Sequence, residues 1–144
     1  MSKGGNIYIY MEINKENAIK LWRSRYGNKD WIQDFTGTWI YIQDYNNRNS
    51  RRQSTSDGHY YNYGWNLHHM MPESKASCSP KMKRKVTSKS NLEIVHIFTN
   101  DEAEDKTTFI INDTEYQVRS LRDGSGNYGI FDTSNNRRVD YPNK

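Results

Sequence analysis

Hydrophobic positions in this chain come in short, differently spaced groups. Residues 6–13 alternate, with Ile7, Ile9, Met11 and Ile13 on one side, and predict a short strand. Asn14 then reads as a helix cap for Lys15 to Tyr26, in which Ala18, Ile19, Trp22 and Tyr26 fall on one helical face. Gly27 is the stop, and the helix is expected to serve packing. Trp31-Ile32, Phe35, Trp39 to Ile42 and Tyr45 supply apolar surface around Gly37. Asn46 to Asn62, dense in Asn, Ser, Arg and Gly, predicts a long loop. A loop of that length inside one domain is usually functional or mobile.

Two longer apolar runs follow. Trp65 to Pro72 reads as a strand closed by proline, and Asn91 to Phe98 as its partner, with a basic, serine-rich loop from Glu73 to Ser90 between them. Thr99 is the expected cap of a short helix over Asn100 to Lys106, with acids in its first turn as the helix dipole prefers. Beyond it the pattern predicts an antiparallel meander over residues 107–144. Phe109 to Ile111 turns at Asn112-Asp113 into Thr114 to Val118, Asp123 to Gly126 turns into Tyr128 to Phe131, and Ser134 to Asn136 leads to Val139. No internal repeat is visible.

The 144 residues match the size of one domain, so 1–144 is read as a single unit. Only 33% of residues are hydrophobic and the mean hydropathy is −1.10, which leaves much of the chain to polar surface and loops. The 4 Trp and 11 Tyr are the large bodies from which a core can still be built. A net charge of +4 is compatible with a polyanionic partner. The single cysteine, Cys78, excludes an intrachain disulfide and a four-cysteine zinc site. No segment approaches the ~20 apolar residues of a membrane helix. The stretch after Met1 is too short and too aromatic for a signal-peptide core, so the expected location is the cytoplasm, with no membrane partner.

The chemistry-bearing residues are concentrated between residues 63 and 106. A phosphodiester-cleaving site needs a base to deprotonate water, a divalent cation to neutralise the phosphoryl and leaving oxygens, and a group that orients the base. Histidine accepts a proton near neutral pH. A neighbouring imidazole or carboxylate and an amide oxygen can hold the metal. Tyr63-Gly64-Trp65-Asn66-Leu67-His68-His69-Met70-Met71-Pro72 resembles the first motif of HNH endonucleases, Ser90-Asn91-Leu92-Glu93-Ile94-Val95 resembles the second, and Asn100 stands where the third places Asn or His. Phe35-Thr36-Gly37 and Tyr45 to Ser50 resemble the lead-in of a bacterial and phage branch of that family, and Lys106 and Phe109 extend the likeness.

The resemblance spans roughly residues 30–110. It implies an α+β fold with a ββα-metal (HNH) core, an N-terminal helix and a C-terminal antiparallel β meander. It implies His69 as general base, His68 and Asn100 as metal ligands, and Asn91 as the residue orienting His69 through a main-chain contact across the hairpin. The implied reaction is hydrolysis of DNA with one divalent metal ion, leaving 5′-phosphate and 3′-hydroxyl ends. Mg²⁺ or Mn²⁺ is the expected metal, and because an imidazole stands where the family commonly has Asp, Ni²⁺ or Zn²⁺ also fits. No Cys-x-x-Cys pairs brace the motif, so packing and the tail strands must do so.

Successive strand residues face opposite sides, so His68 and His69 can share one site only if the strand ends or twists there, as Pro72 would allow. Lys81, Lys83, Arg84 and Lys85, with Arg48 in the other long loop, are candidate phosphate contacts, against the alternative of solvated loops. Tyr60, Tyr61 and Tyr63 are read as packing residues with base stacking as the alternative. For the whole chain the competing function is a non-catalytic nucleic-acid- or protein-binding module. An enzyme used as a toxin would have an immunity protein as a further partner.

Overall fold

In the computed structural model, residues 11–72 and 88–143 are described. Helix α1 (Lys15–Tyr26) begins where Asn14 Oδ1 accepts the Asn17 amide at 2.9 Å and ends at Gly27, whose φ of 66° a side chain would resist. Its buried side is Ala18, Leu21 and Trp22, with Ile19 and Tyr26 packed at the margin. Strands β1 (Trp31–Gln33) and β2 (Trp39–Tyr41) form a hairpin, followed by a 3-10 turn at Ile42–Asp44. A second small hairpin, β3 (Arg52–Gln53) with β4 (Tyr60–Tyr61), lies inside the stretch expected to be loop.

Strands β5 (Trp65–His69) and β6 (Leu92–His96) pair antiparallel, with Trp65 opposite His96 and His69 opposite Leu92. Helix α2 (Ile97–Ala103) follows directly. A four-stranded antiparallel sheet completes the chain: β7 (Thr108–Ile111), β8 (Thr114–Ser120), β9 (Tyr128–Asp132) and β10 (Arg137–Arg138), in the order 10-9-8-7.

The β5–β6 hairpin lies between two apolar clusters. Trp65, Leu67, Leu92 and Ile94 join Trp22, Ile32 and Ile40 on one face, and Val95 joins Phe35, Phe109 and Ile130 on the other. With both faces covered, every residue of β6 is buried, which explains a run without clean alternation. The Trp22 and Trp65 rings meet at 4.8 Å between centroids and fasten α1 to this hairpin.

The α+β class with a ββα-metal core is corrected by this architecture. The described residues form ten strands in antiparallel sheets against two helices, so they are mostly β and no ββα-metal arrangement is shown among them. Part of the added β content lies in residues 31–61, which pair into two minimal hairpins, one of them inside the stretch expected to be loop. The expected N-terminal helix and C-terminal meander are both observed. Among the described residues, no helix is long and apolar enough to cross a membrane.

Candidate functional site

Helix α2 starts three residues earlier than the sequence pattern predicts, and the reason is a buried carboxylate. His96, not Thr99, caps it, its Nδ1 accepting the Phe98 amide at 3.0 Å. The His96 Nε2 donates to the Asn62 carbonyl at 2.8 Å, which leaves Nδ1 as the acceptor. Thr99 instead gives its hydroxyl to Asp34 Oδ2 at 2.8 Å, and the same oxygen takes the His96 amide at 3.0 Å. Asp34 Oδ1 accepts from the Thr36 amide and hydroxyl and the Thr38 amide. This one carboxylate therefore ties the β1–β2 turn to the β6–α2 junction. The local sequence signals only the turn at Thr36 and Thr38, because the other two donors, His96 and Thr99, lie more than 60 positions away.

The tie fixes where α2 presents Asn100. The Asn100 Nδ2 donates to Asn66 Oδ1 at 2.8 Å and, more weakly, to the Leu67 carbonyl at 3.4 Å. A carbonyl can only accept, so the amide orientation is determined and Asn100 Oδ1 faces His68 Nδ1, 2.7 Å away. His68 must then carry its proton on Nδ1 and its lone pair on Nε2. His68 is 2% exposed, and Nε2 has no hydrogen-bond partner among the described residues. Burial, partly opposed by the Asn100 hydrogen bond, lowers the His68 pKa from 6.5 to about 4, so the imidazole is neutral at neutral pH.

Strand β5 ends at His69, and beyond it Asn91 takes hold of the chain. The Asn91 carboxamide accepts the Met71 amide at 2.8 Å and donates to the Met71 carbonyl at 2.9 Å, while the Asn91 carbonyl takes the Met70 amide. This paired clamp is a main-chain contact across the hairpin, made to the residues just after His69. With the strand closing there, His68 and His69 line the same open depression of about 240 Å³, together with Leu67, Pro72, Asn100, Glu104 and Asp105. Both histidines pair in β5, His68 with Glu93 and His69, its last residue, with Leu92, and both border the depression.

No family model, curated protein or solved structure matches this chain.

The structure thus brings His68, His69 and Asn100 to one depression, while Asn91 holds the main chain of Met70 and Met71 beside it. Asn100 reaches His68 directly, through the same Oδ1 that the HNH resemblance would give to a metal. The donor set suits a divalent cation in part. An imidazole whose far nitrogen donates to an oxygen, leaving a buried lone pair free, is the usual arrangement of a metal-binding histidine. Glu104 and Asp105 add carboxylates at the rim, although no group of three His, Cys, Asp or Glu side chains lies close enough to enclose a metal among the described residues. Such a site would complete a metal's coordination with phosphate oxygens and water, as is common for phosphoryl chemistry. Arg48 is exposed at the surface and pairs with Asp101 of α2 through contacts of 2.8 and 3.0 Å. Lys81, Lys83, Arg84 and Lys85 lie outside the described residues.

Proposed function

We propose that this chain is a metal-dependent endonuclease that hydrolyses DNA phosphodiester bonds at the His68–His69 depression. The observation that carries the reading is the buried, unpartnered Nε2 of His68, with its tautomer set by Asn100 and with His69 beside it in the same depression. It agrees with the HNH-like order of His68, His69, Asn91 and Asn100 in the sequence.

His69 is the general base that removes a proton from the attacking water. Asn91 fixes the main chain just after it and so limits where the ring can swing. His68 Nε2 would hold the cation, Mg²⁺ or Mn²⁺ in the first instance, with Ni²⁺ or Zn²⁺ also suited to imidazole. Asn100 positions His68 and has one remaining Oδ1 lone pair with which to contribute. When bound, the cation would neutralise charge on the phosphoryl and leaving oxygens. The depressed basicity of His68 keeps its lone pair available at neutral pH.

Supercoiled plasmid incubated with Mg²⁺, Mn²⁺, Ni²⁺, Zn²⁺ or EDTA tests the proposal. The expected result is metal-dependent nicking or linearisation that disappears in His69→Ala. Intact plasmid with every metal, together with retained nucleic-acid or protein binding, would replace it with the binding-module reading.

A further inference from the structure

A depression of about 370 Å³ lies away from His68 and His69, between the β1–β2 hairpin and the turn after β3. Its walls are Trp31, Trp39 and Tyr63 on one side and Gln53 to Ser56 on the other. The solvent face of a short hairpin ordinarily carries polar residues, yet here Trp31 and Trp39 stand 41% and 49% exposed while Ile32 and Ile40 fill the core behind them. The register pairs Trp31 with Tyr41 and Gln33 with Trp39, so the two indoles occupy diagonal positions on one face, roughly 7–8 Å apart at the backbone. Trp31 is propped in place by Tyr41 at 4.3 Å and edge-on by Tyr63 at 4.9 Å.

Two guanidinium groups lie over tyrosine rings of the adjoining strands β2 and β4. The Arg52 guanidinium lies 4.4 Å from the Tyr41 centroid and is held there by Asp44. The Arg51 guanidinium lies 4.6 Å from the Tyr60 ring and makes no ion pair among the described residues. Of the nearby acids, Asp44 is committed to Arg52 and Ser50, and Asp57 to the Tyr61 hydroxyl and the His59 amide. The opposite wall offers hydrogen-bonding groups. Gln53 Nε2 is bound to the Gly58 carbonyl, which leaves its Oε1 as an acceptor, and the Ser54 and Ser56 hydroxyls pair with each other.

We propose that Trp31 and Trp39, with Arg51 and Gln53, form a base-stacking site for single-stranded DNA. Open aromatic faces take the bases, guanidinium groups take the backbone, and this combination is how sequence-tolerant single-strand sites are built. A neutral sugar would use the indoles but gain nothing from Arg51, and the chain's net charge of +4 favours the polyanion. Tyr63 borders this depression and His68 the other, five positions along the chain, at most ~17 Å at ~3.3 Å per residue. A strand held at the indoles could therefore extend toward the histidines, but the binding site rests on its own geometry and not on the cleavage reading.

Fluorescence anisotropy of the full chain with labelled oligo(dT) of roughly a dozen nucleotides, in EDTA so that no cleavage intervenes, tests it. A matching abasic oligomer carries the same phosphates without the bases. The abasic oligomer should bind about tenfold more weakly, and Trp39→Ala should bring oligo(dT) down to the same level. Trp39→Phe, which keeps a ring, should recover part of the loss and covers the case in which Trp39→Ala does not fold. Equal affinity for the two oligomers, no binding of oligo(dT), oligo(dT) binding by folded Trp39→Ala at the wild-type level, or displacement of oligo(dT) by maltohexaose would each overturn the proposal.

Discussion

The two depressions at either end of β5 depart from ordinary surface chemistry in opposite directions. At the histidine end, polar groups are buried: His68 and Asn91 are 2% and 3% exposed, and each is fixed by hydrogen bonds to a carboxamide or to main chain. At the aromatic end, large apolar rings are exposed and held by one another and by guanidinium groups. Buried polar groups cost stability unless fully paired, so their positions are tightly determined. Exposed rings cost little and can adapt. The first arrangement suits chemistry that depends on placement, and the second suits binding that tolerates different partners.

The largest effect that can break this contrast is on cleavage. His69→Ala should lower the rate of plasmid nicking by about 10²–10⁴, the usual contribution of a positioned base. A variant that nicks normally would remove His69 from the chemistry even if the protein remains a nuclease. Next comes pH. The native state holds His68 neutral down to about pH 4 whereas the unfolded chain protonates it near 6.5, so the unfolded state binds more protons between those values. Stability should therefore fall as the pH drops from about 6.5 to about 4, by at most ~3 kcal/mol from this group. Urea melts across that range should show the slope, and His68→Gln should flatten it.

Smaller effects concern single contacts. Asn100→Ala deprives His68 and Asn66 of their partner inside the fold and should cost ~2 kcal/mol, measured by urea unfolding. Trp39→Ala, at a half-exposed position, should cost less than ~1 kcal/mol in the same assay. If Trp39→Ala proved the more destabilising of the two, the aromatic end would be a core rather than a surface.

Helix α1, both long central strands and the meander were legible because each has a period or a turn signal over enough residues. Strands β1 to β4 were not. Two or three residues cannot display alternation, and what pairs them is the approach of their partners across turns. The order His68, His69, Asn91, Asn100 was visible in the sequence. The tautomer of His68 was not, since it depends on Asn66 and Leu67 claiming the Asn100 amide. Thr99 has the residue type of a cap, but a buried acid 65 positions away claimed its hydroxyl. The exposed indoles were invisible for a related reason, because Trp is ordinarily assigned to a core.

Buried Glu93 adds a second pH response of opposite sign. Desolvation, and then the Asp140 charge beside it, raise its pKa to about 8 against the lowering influence of Arg25. Its native state thus retains a proton that the unfolded chain releases near pH 4.5, so its contribution to stability declines as the pH rises from there toward 8. Glu93→Gln keeps an acceptor for the Tyr141 amide, and its melting temperature relative to wild type should be higher at pH 8 than at pH 5.

Gly64 stands between the two depressions, and a methyl group there would meet the Asn47 carbonyl oxygen at 2.3 Å and Ile97 Cδ1 at 2.9 Å. The obstruction is backbone, which cannot swing aside. In evolutionary terms this makes one residue a fixed hinge pin between two regions that can drift separately. A descendant could exchange Trp39 for another ring, or lose His69, by single steps that leave the scaffold standing, whereas change at Gly64 would need the crossing loop to be rebuilt at the same time. The two depressions are thus free to diverge along different lineages of one framework.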